Sequence, residues 1–309
     1  MSIPQAFFLG VLQGATEFLP VSSSGHLVLV PWLLGWPAPH LAFDAVVHWG
    51  TALAVVAYFW RDWVSIVRAA FRSLYRRTSR SLQIALARGK VWAGEDAFGL
   101  ESAAQEPLRL PPAQDVVEVP DARLAWLILL GTLPAALIGY LLEDFFEGMF
   151  ARPVAAAGFL LVTAALLTAS ERFGRREHNL DTLAWSDALT IGLAQALAIL
   201  PGISRSGATI AAGLARGLRR EPAARFSFLL ATPIILGAGL LKVVGLAQVG
   251  GLAARAPTLV VGFLSAGVVG FGCIHFLLRY LQRRRLYPFA VYCAAAGVAC
   301  LLVVLLQGM

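Results

Sequence analysis

The chain has 309 residues, 58% of them hydrophobic and only 14% charged, with a mean hydropathy of +0.72. A soluble domain is nearer a quarter charged, so this composition excludes an ordinary water-soluble enzyme and points to a chain that crosses a membrane several times. The net charge of +7 does not indicate a nucleic-acid partner, because the basic residues cluster beside apolar runs, where they report topology.

Residues 3–35 are apolar but interrupted by Pro4, Gln13, Glu17, Pro20, the serines at 22–24 and Pro31. This pattern predicts two short helices joined by a polar break. Residues 1–9 carry no basic stretch, so no cleaved signal peptide is expected. The first full span is expected at 42–60, with Asp44 and His48 near its start. Arg61, Arg68, Arg72, Arg76, Arg77, Arg80, Arg88 and Lys90 follow, interleaved with Phe71, Leu74 and Tyr75, as in a helix lying at the interface. From Gly94 to Asp121 the chain is acidic and contains Pro107, Pro111, Pro112 and Pro120, which reads as a polar loop without chemistry. Further spans are expected at 123–142, 154–170, 226–246, 258–278 and 288–307, and a second broken segment at 186–215. Cys273, Cys293 and Cys300 lie in apolar runs without metal-ligand spacing and read as packing residues.

Basic loops at 61–90, 172–176, 216–225 and 279–285 alternate with loops at 143–153 and 247–257 that carry only Arg152 and Arg255. With every basic loop in the cytoplasm, the segment 186–215 must enter and leave from that side, and the segment 3–35 from the other. The expected fold is an all-α polytopic membrane protein with an inverted-topology repeat. Each half would consist of one re-entrant broken helix hairpin plus three transmembrane helices. Residues 1–309 form one integral-membrane domain on this reading. Repeat one is 1–175, with a polar cytoplasmic loop at 61–122, and repeat two is 186–309.

The two breaks echo each other without gaps. Gln13 aligns with Gln195, Ser22 with Ser204, Ser24 with Ser206 and Gly25 with Gly207. Gln13 and Glu17 share a helix face, and a carboxylate at membrane depth is costly and usually functional. Ser22, Ser23 and Ser24 precede Gly25 at a helix start, where hydroxyls and free N–H groups can hold an anion. Simple capping is the ordinary role of any one of these serines. His26 taken alone is an ordinary polar residue; its closeness to Glu17 and the serines makes it a candidate. Arg205 lies between Ser204 and Ser206, after Pro201-Gly202. Its guanidinium needs Glu17 or a bound phosphate as partner, unless it snorkels to the interface. Ser204, Ser206 and Thr209 add hydroxyls, and Gly202 and Gly207 permit close backbone approach. Asp44, His48 and Thr51, or Glu143, Asp144 and Glu147, could hold a divalent cation with phosphate oxygens; for the latter three, solvated interface charge explains them equally well.

These motifs resemble those of the bacterial undecaprenyl-diphosphate phosphatases associated with bacitracin resistance. The family's first motif, Glu or Gln followed after three residues by Glu, is Gln13-Gly-Ala-Thr-Glu17, continuing through Phe18-Leu-Pro-Val-Ser-Ser-Ser-Gly-His26. Its second, Pro-Gly-x-Ser-Arg-Ser-x-x-Thr, is Pro201-Gly-Ile-Ser-Arg-Ser-Gly-Ala-Thr209. Phe43-Asp-Ala-Val-Val-His-Trp-Gly-Thr51 and Phe226-Ser-Phe-Leu-Leu-Ala-Thr-Pro233 also look like family blocks. The resemblance implies a hydrolase that removes the terminal phosphate of C55 isoprenyl diphosphate and regenerates the carrier for peptidoglycan and cell-wall synthesis, hence cell shape and bacitracin resistance. It implies a multi-pass protein of the bacterial inner (plasma) membrane with its active site facing the periplasmic or outer side. Its partners would be the lipid and the membrane, with no nucleic acid, and it admits a homodimer. Carried over, Glu17 is the general acid/base with Gln13 in support, Arg205 grips the diphosphate, and Ser23 or His26 is the nucleophile or its assistant. Ser22, Ser24, Gly202, Ser204, Ser206 and Thr209 line the phosphate pocket. The family implies a divalent cation, Mg2+ or Ca2+, for which Glu17 with the diphosphate is the candidate holder. Two departures stand out. Gln13 replaces the Glu of some members, and the 61–122 loop is longer than usual. The alternative reading is a flippase or transporter for the lipid phosphate or a small anion, which needs the clamp but not a proton carrier and nucleophile. A purely structural subunit leaves the buried Arg205 unexplained.

Overall fold

The computed structural model describes residues 1–75, 120–150, 152–249 and 252–307. The expected polar segment, including Arg76, Arg77, Arg80, Arg88, Lys90, Pro107, Pro111 and Pro112, lies outside the described residues. The described residues are helical almost throughout. In chain order the helices are α1 (Ile3–Phe18), α2 (Ser23–Leu33), α3 (Leu41–Tyr58), α4 (Trp60–Tyr75), α5 (Pro120–Leu141), α6 (Glu143–Phe150), α7 (Pro153–Phe173), α8 (Trp185–Leu197), α9 (Arg205–Ala215), α10 (Arg220–Val249), α11 (Leu252–Leu281) and α12 (Tyr287–Leu306).

Both segments read as broken are broken where proline and glycine interrupt the apolar pattern. α1 stops at Phe18 before Pro20, and α2 restarts on Ser22. α8 stops at Leu197 before Pro201-Gly202, and α9 restarts on Ser204. Among the described residues five helices are each long and apolar enough to cross a membrane, over Ala122–Leu141, Pro153–Phe173, Arg220–Leu240, Arg255–Leu281 and Tyr287–Leu306. The span expected at 42–60 meets the same test only when Ala42–Tyr58 is taken together with Trp60–Tyr75. Outward positions such as Leu133, Leu137, Val268, Leu302 and Leu305 are exposed apolar side chains, as a hydrocarbon solvent requires. The chain is thus a polytopic helical membrane protein. The stretch after α5, expected to be loop, is the short helix α6. Glu143 and Asp144 lie in its first turn, where acidic side chains suit the helix dipole, and Phe146 is its buried anchor.

The chain divides into two compact units, 1–60 with 127–309, and 61–126. In the second, the residues of α4 bury Ile66 and Ala69 and expose Val67, Arg68, Phe71, Arg72 and Tyr75. The basic and apolar interleaving expected of this stretch is therefore on its surface. In the first unit, α11 packs against both α1 and α3, α7 against α12, α2 and α9, and α9 also against α8 and α10. The α1–α11 seam is built from small residues. A Cβ on Gly10 would lie 2.6 Å from the Gly262 carbonyl oxygen, and one on Gly14 2.6 Å from that of Ala266. Gly10 and Gly14 therefore face a Gly262–Ala266–Gly270 row at the same four-residue spacing. Small residues of this kind let helices in lipid associate by backbone approach. One end of this unit is tied by Glu171, whose carboxylate accepts from both Arg220 Nε and Nη2 (2.7 Å each) and from the Leu286 backbone N–H (2.9 Å), and forms an ion pair with Arg176 Nη2 (2.9 Å), which donates to the Glu171 backbone carbonyl. A backbone bridge between His178 and Leu218 runs alongside. Cys273, Cys293 and Cys300 are free thiols, the last two buried among apolar neighbours, as expected.

Candidate active site

The two breaks have the same local bonding. The Ser22 hydroxyl accepts from the Gly25 N–H (3.2 Å) and lies 3.3 Å from the Ser24 hydroxyl. The Ser204 hydroxyl accepts from the Gly207 N–H (3.0 Å) and lies 3.2 Å from the Ser206 hydroxyl. In each case the serine satisfies one of the helix's orphan N–H donors. The breaks also touch. A Cβ on Gly25 would lie 3.0 Å from Gly202 Cα, and the Ser206 hydroxyl donates to the Leu19 carbonyl (3.2 Å). Gly202 has φ +102°, a conformation L side chains rarely adopt, and a Cβ there would clash with the Ala156 carbonyl. Two helix N-termini thus converge, each with a partial positive charge of roughly half a unit.

Glu17 is at the centre. It is 5% exposed, on the last turn of α1. Its Oε1 accepts from Arg205 Nη2 at 2.6 Å. Its Oε2 accepts from Gln13 Nε2 at 2.9 Å, one helical turn back, and from the Ser23 hydroxyl at 2.5 Å across the break. His48 of α3 places its Nε2 3.7 Å from the same oxygen, with its Nδ1 held by the Asp44 carbonyl at 2.7 Å. Arg205 therefore has the carboxylate partner that its surroundings demand. Its second terminal nitrogen, Nη1, is buried and has no hydrogen-bond partner, and the same is true of Gln13 Oε1. A buried guanidinium donor without an acceptor is a costly group whose natural complement is an anion.

The remaining candidates divide. Ser22, Ser24, Gly202, Ser204 and Ser206 all lie at the paired breaks. Thr209 is one turn into α9 and faces away from them. Its hydroxyl donates to the Arg205 carbonyl (2.7 Å) and pairs with Ser227 of α10 (2.6 Å), so it braces α9. His26 is not bonded to Glu17 or Ser23. Its Nδ1 meets the Ser22 carbonyl (2.7 Å) and its Nε2 meets the Tyr292 hydroxyl of α12 (2.7 Å). Glu143, Asp144 and Glu147 are exposed on α6. Thr51 is buried and donates to the His48 carbonyl.

Three residues of the site were not assigned these places by the sequence. Tyr292 is the one side-chain hydroxyl inside the apolar run 288–306, which was its available signal. Thr163 of α7 accepts from the Ser204 N–H and donates to the Gly202 carbonyl (2.9 Å each), fixing the second break. His48, which the sequence offers with Asp44 as a cation holder, places its Nε2 3.7 Å from Glu17. Ser22 adds strain: its φ is +72°, and such a backbone costs about 1–3 kcal/mol for a residue with a side chain.

For a divalent cation the fit is limited. Among the described residues no group of three or more His, Cys, Asp or Glu side chains comes together, and both Glu17 oxygens are already engaged. These side chains alone form no cage, so the fit extends only to a cation brought in on phosphate oxygens.

The family described as "Bacitracin resistance protein BacA" matches residues 6–299. Curated relatives named undecaprenyl-diphosphatase include proteins from Thermomicrobium roseum, 42% identical over 98% of this chain and 99% of its own length, and from Methanosphaera stadtmanae, 39% identical over 96% of each. One from Mycobacterium avium is 39% identical over 97% of each. The Glu17–Arg205 pairing thus sits in a sequence that aligns along nearly its whole length with these enzymes, and the chain belongs to the BacA family.

Proposed function

We propose that the chain is an integral-membrane phosphatase that hydrolyses undecaprenyl diphosphate to undecaprenyl phosphate and inorganic phosphate, recycling the lipid carrier for peptidoglycan synthesis. The observation that carries this reading is the arrangement at Glu17. A hydroxyl donates to one carboxylate oxygen at 2.5 Å, and an arginine on the other side has a buried donor to spare. The names and the near-complete coverage of the relatives support the substrate.

On this reading the diphosphate docks its terminal phosphate at Arg205 Nη1, with the Ser22, Ser24, Ser204 and Ser206 hydroxyls and the two helix N-termini around it. Phosphoryl transfer asks mainly for positioning and charge stabilisation, which these groups supply. Glu17 takes the proton from the attacking oxygen, that of Ser23 or of a water in its place. The bond from the terminal phosphorus to the bridging oxygen breaks, and undecaprenyl phosphate leaves, its oxygen taking the proton back from Glu17, which is a carboxylate again. If Ser23 attacks, water then cleaves the phosphoserine with Glu17 again as base. Gln13 holds the Glu17 carboxylate in place throughout. A divalent cation, Mg2+ or Ca2+, would enter on the diphosphate oxygens and share Glu17, adding charge neutralisation. A flippase or anion carrier could use the same clamp but has no need of a hydroxyl held on the carboxylate.

The proposal extends to topology. Repeat one (1–175) and repeat two (186–309) are inverted copies within one membrane domain, their re-entrant breaks meeting at the site. The matching serine caps and the ungapped echo support this. The site opens to the periplasmic or outer side of the inner membrane, opposite the basic loops. The test is phosphate release from C55 isoprenyl diphosphate by purified protein in detergent with Mg2+ or Ca2+. The wild type releases phosphate, and Glu17→Ala and Arg205→Ala do not. No release by the wild type overturns the phosphatase reading and leaves transport.

A further inference from the structure

We propose that Tyr292 and His26 form a positioning pair. Tyr292 holds the His26 ring so that its Nδ1–H supports the Ser22 carbonyl, and through that turn the pair aims Ser23 at Glu17. The inference rests on reading Ser23 and Glu17 as the reacting pair, and it gives His26 a role other than nucleophile or proton carrier.

The bonding fixes the tautomer. A carbonyl oxygen only accepts, so His26 Nδ1 carries the proton it shares with Ser22. In the neutral ring Nε2 is then an acceptor, and the Tyr292 hydroxyl donates to it at 2.7 Å. The two rings lie nearly parallel, 7° apart, with centroids separated by 5.7 Å. Both ring nitrogens are therefore occupied, and neither bonds Glu17 or Ser23.

What the ring supports is the strained residue. Ser22 sits at φ +72°, and the next residue, Ser23, opens α2 with its hydroxyl on Glu17. A left-handed serine persists only where its surroundings over-determine it. Here its hydroxyl is fixed by the Gly25 N–H and its carbonyl by His26. The second break serves as an internal control. Its capping serine, Ser204, has an ordinary φ of −68°; both serine carbonyls take the backbone N–H of the residue four on, His26 at 3.2 Å and Ala208 at 2.7 Å. The residue in the His26 position there is Ala208. At this position the strained break adds an imidazole to the backbone bond, whereas the relaxed break adds no side-chain bond and is held instead by Thr163 on the Ser204 N–H and the Gly202 carbonyl. Tyr292 supplies the far end of the support from the last helix of the chain.

The experiment compares His26→Asn, His26→Ala and Tyr292→Phe with the wild type in phosphate release, alongside 15N spectra of histidine-labelled protein. An asparagine amide reaches the Nδ1 position and can donate to the Ser22 carbonyl but carries no titrating ring. His26→Ala should lower kcat by about a hundredfold with KM little changed, the range lost when a reacting group is misplaced. His26→Asn should recover at least roughly tenfold of that loss, whereas a proton carrier, worth about 10²–10⁴-fold, would not be rescued by an amide. Tyr292→Phe should lower kcat several-fold, roughly the effect of one misaligned hydrogen bond, with KM unmoved. The spectra should show His26 with Nδ1 protonated in the wild type, its signal being the one missing from His26→Asn. An Asn variant as inactive as Ala, a Phe variant equal to wild type, or an Nε2-protonated His26 overturns the proposal. The spectra judge the pair even if the wild type releases no phosphate, an outcome that would fall on the phosphatase reading instead.

Discussion

Glu17 and Glu171 are both buried, both meet an arginine from a distant stretch of chain, and differ in what each arginine has left over. Glu171 has a fully buried side chain and takes the Arg220 fork edge-on through Nε and Nη2, with Arg176 and the Leu286 N–H completing its shell. The nitrogen left over there is the inward Nε of Arg176. Glu17 takes a single nitrogen of Arg205, and the outer Nη1 of that fork has no partner. A closed fork ties chain ends together, here the end of α7, the start of α10 and the start of α12. An open fork can receive an anion. The same two residue types thus close a structural tie at one place and leave an open donor at the other, where the proposed function puts the chemistry, and the difference lies in how completely the hydrogen bonds are satisfied.

The sharpest way to break that comparison is Arg205→Lys. Lysine can keep the ion pair with Glu17 but loses the second nitrogen of the fork. Phosphate release should fall about 10³-fold or more, the effect of removing an arginine from a phosphoryl-transfer site, while the melting temperature in detergent stays near wild type. Retained activity would mean that Nη1 does not receive the phosphate. Glu17→Gln should follow, with kcat down about 10²–10⁴-fold as the proton acceptor is lost and folding little affected. Glu171→Ala should reverse the pattern. It should cost about 3–5 kcal/mol of stability, because it strands Arg220 and Arg176. That would appear as a large fall in melting temperature, with specific activity preserved in whatever fraction stays folded. A Glu171→Ala protein as stable as wild type would remove the contrast. Smaller again, Gly14→Val should overpack the α1–α11 seam by about 1–3 kcal/mol and lower stability before activity. Smallest is Thr209→Val, which removes the Ser227 pairing at about 1 kcal/mol, with little change in KM because the hydroxyl faces α10 rather than the pocket. A marked rise in KM would return Thr209 to the phosphate pocket.

Sequence pattern carried the helix breaks well, because proline, glycine and serine act locally and their consequences do not depend on what packs alongside. The Glu17–Arg205 contact was legible for a different reason. Each residue is intolerable alone at membrane depth, and their motifs are copies of each other, so each pointed to the other. Glu171 gave no such signal. It follows an apolar span and precedes Arg172, and so reads as one more interface charge; its burial depends on Arg220 and Leu286, far along the chain. Tyr292 was hidden in the same way, 266 residues from the histidine it holds. The small-residue seam was visible in principle, since Gly10 and Gly14 repeat the spacing of Gly262 and Ala266, but only the fold shows that the two rows face each other. Thr209 fits its motif, and its hydroxyl is turned to Ser227 of α10 rather than to the paired breaks, because a motif gives a residue's position along a helix but not which of its neighbours has an open hydrogen bond.

The separation of 188 positions from Glu17 to Arg205 also has a meaning in time. A ribosome adding residues at about 5–20 per second delivers Arg205 roughly 10–40 s after Glu17. During that interval Glu17 lacks Arg205, and the neighbours already made that can attend to it are Gln13, Ser23 and His48. These neighbours are then the escorts of a nascent carboxylate until its arginine arrives. On the mechanism proposed above, the newborn chain stays chemically silent until its second half is in place, and a truncated product would occupy the membrane without attacking its lipids.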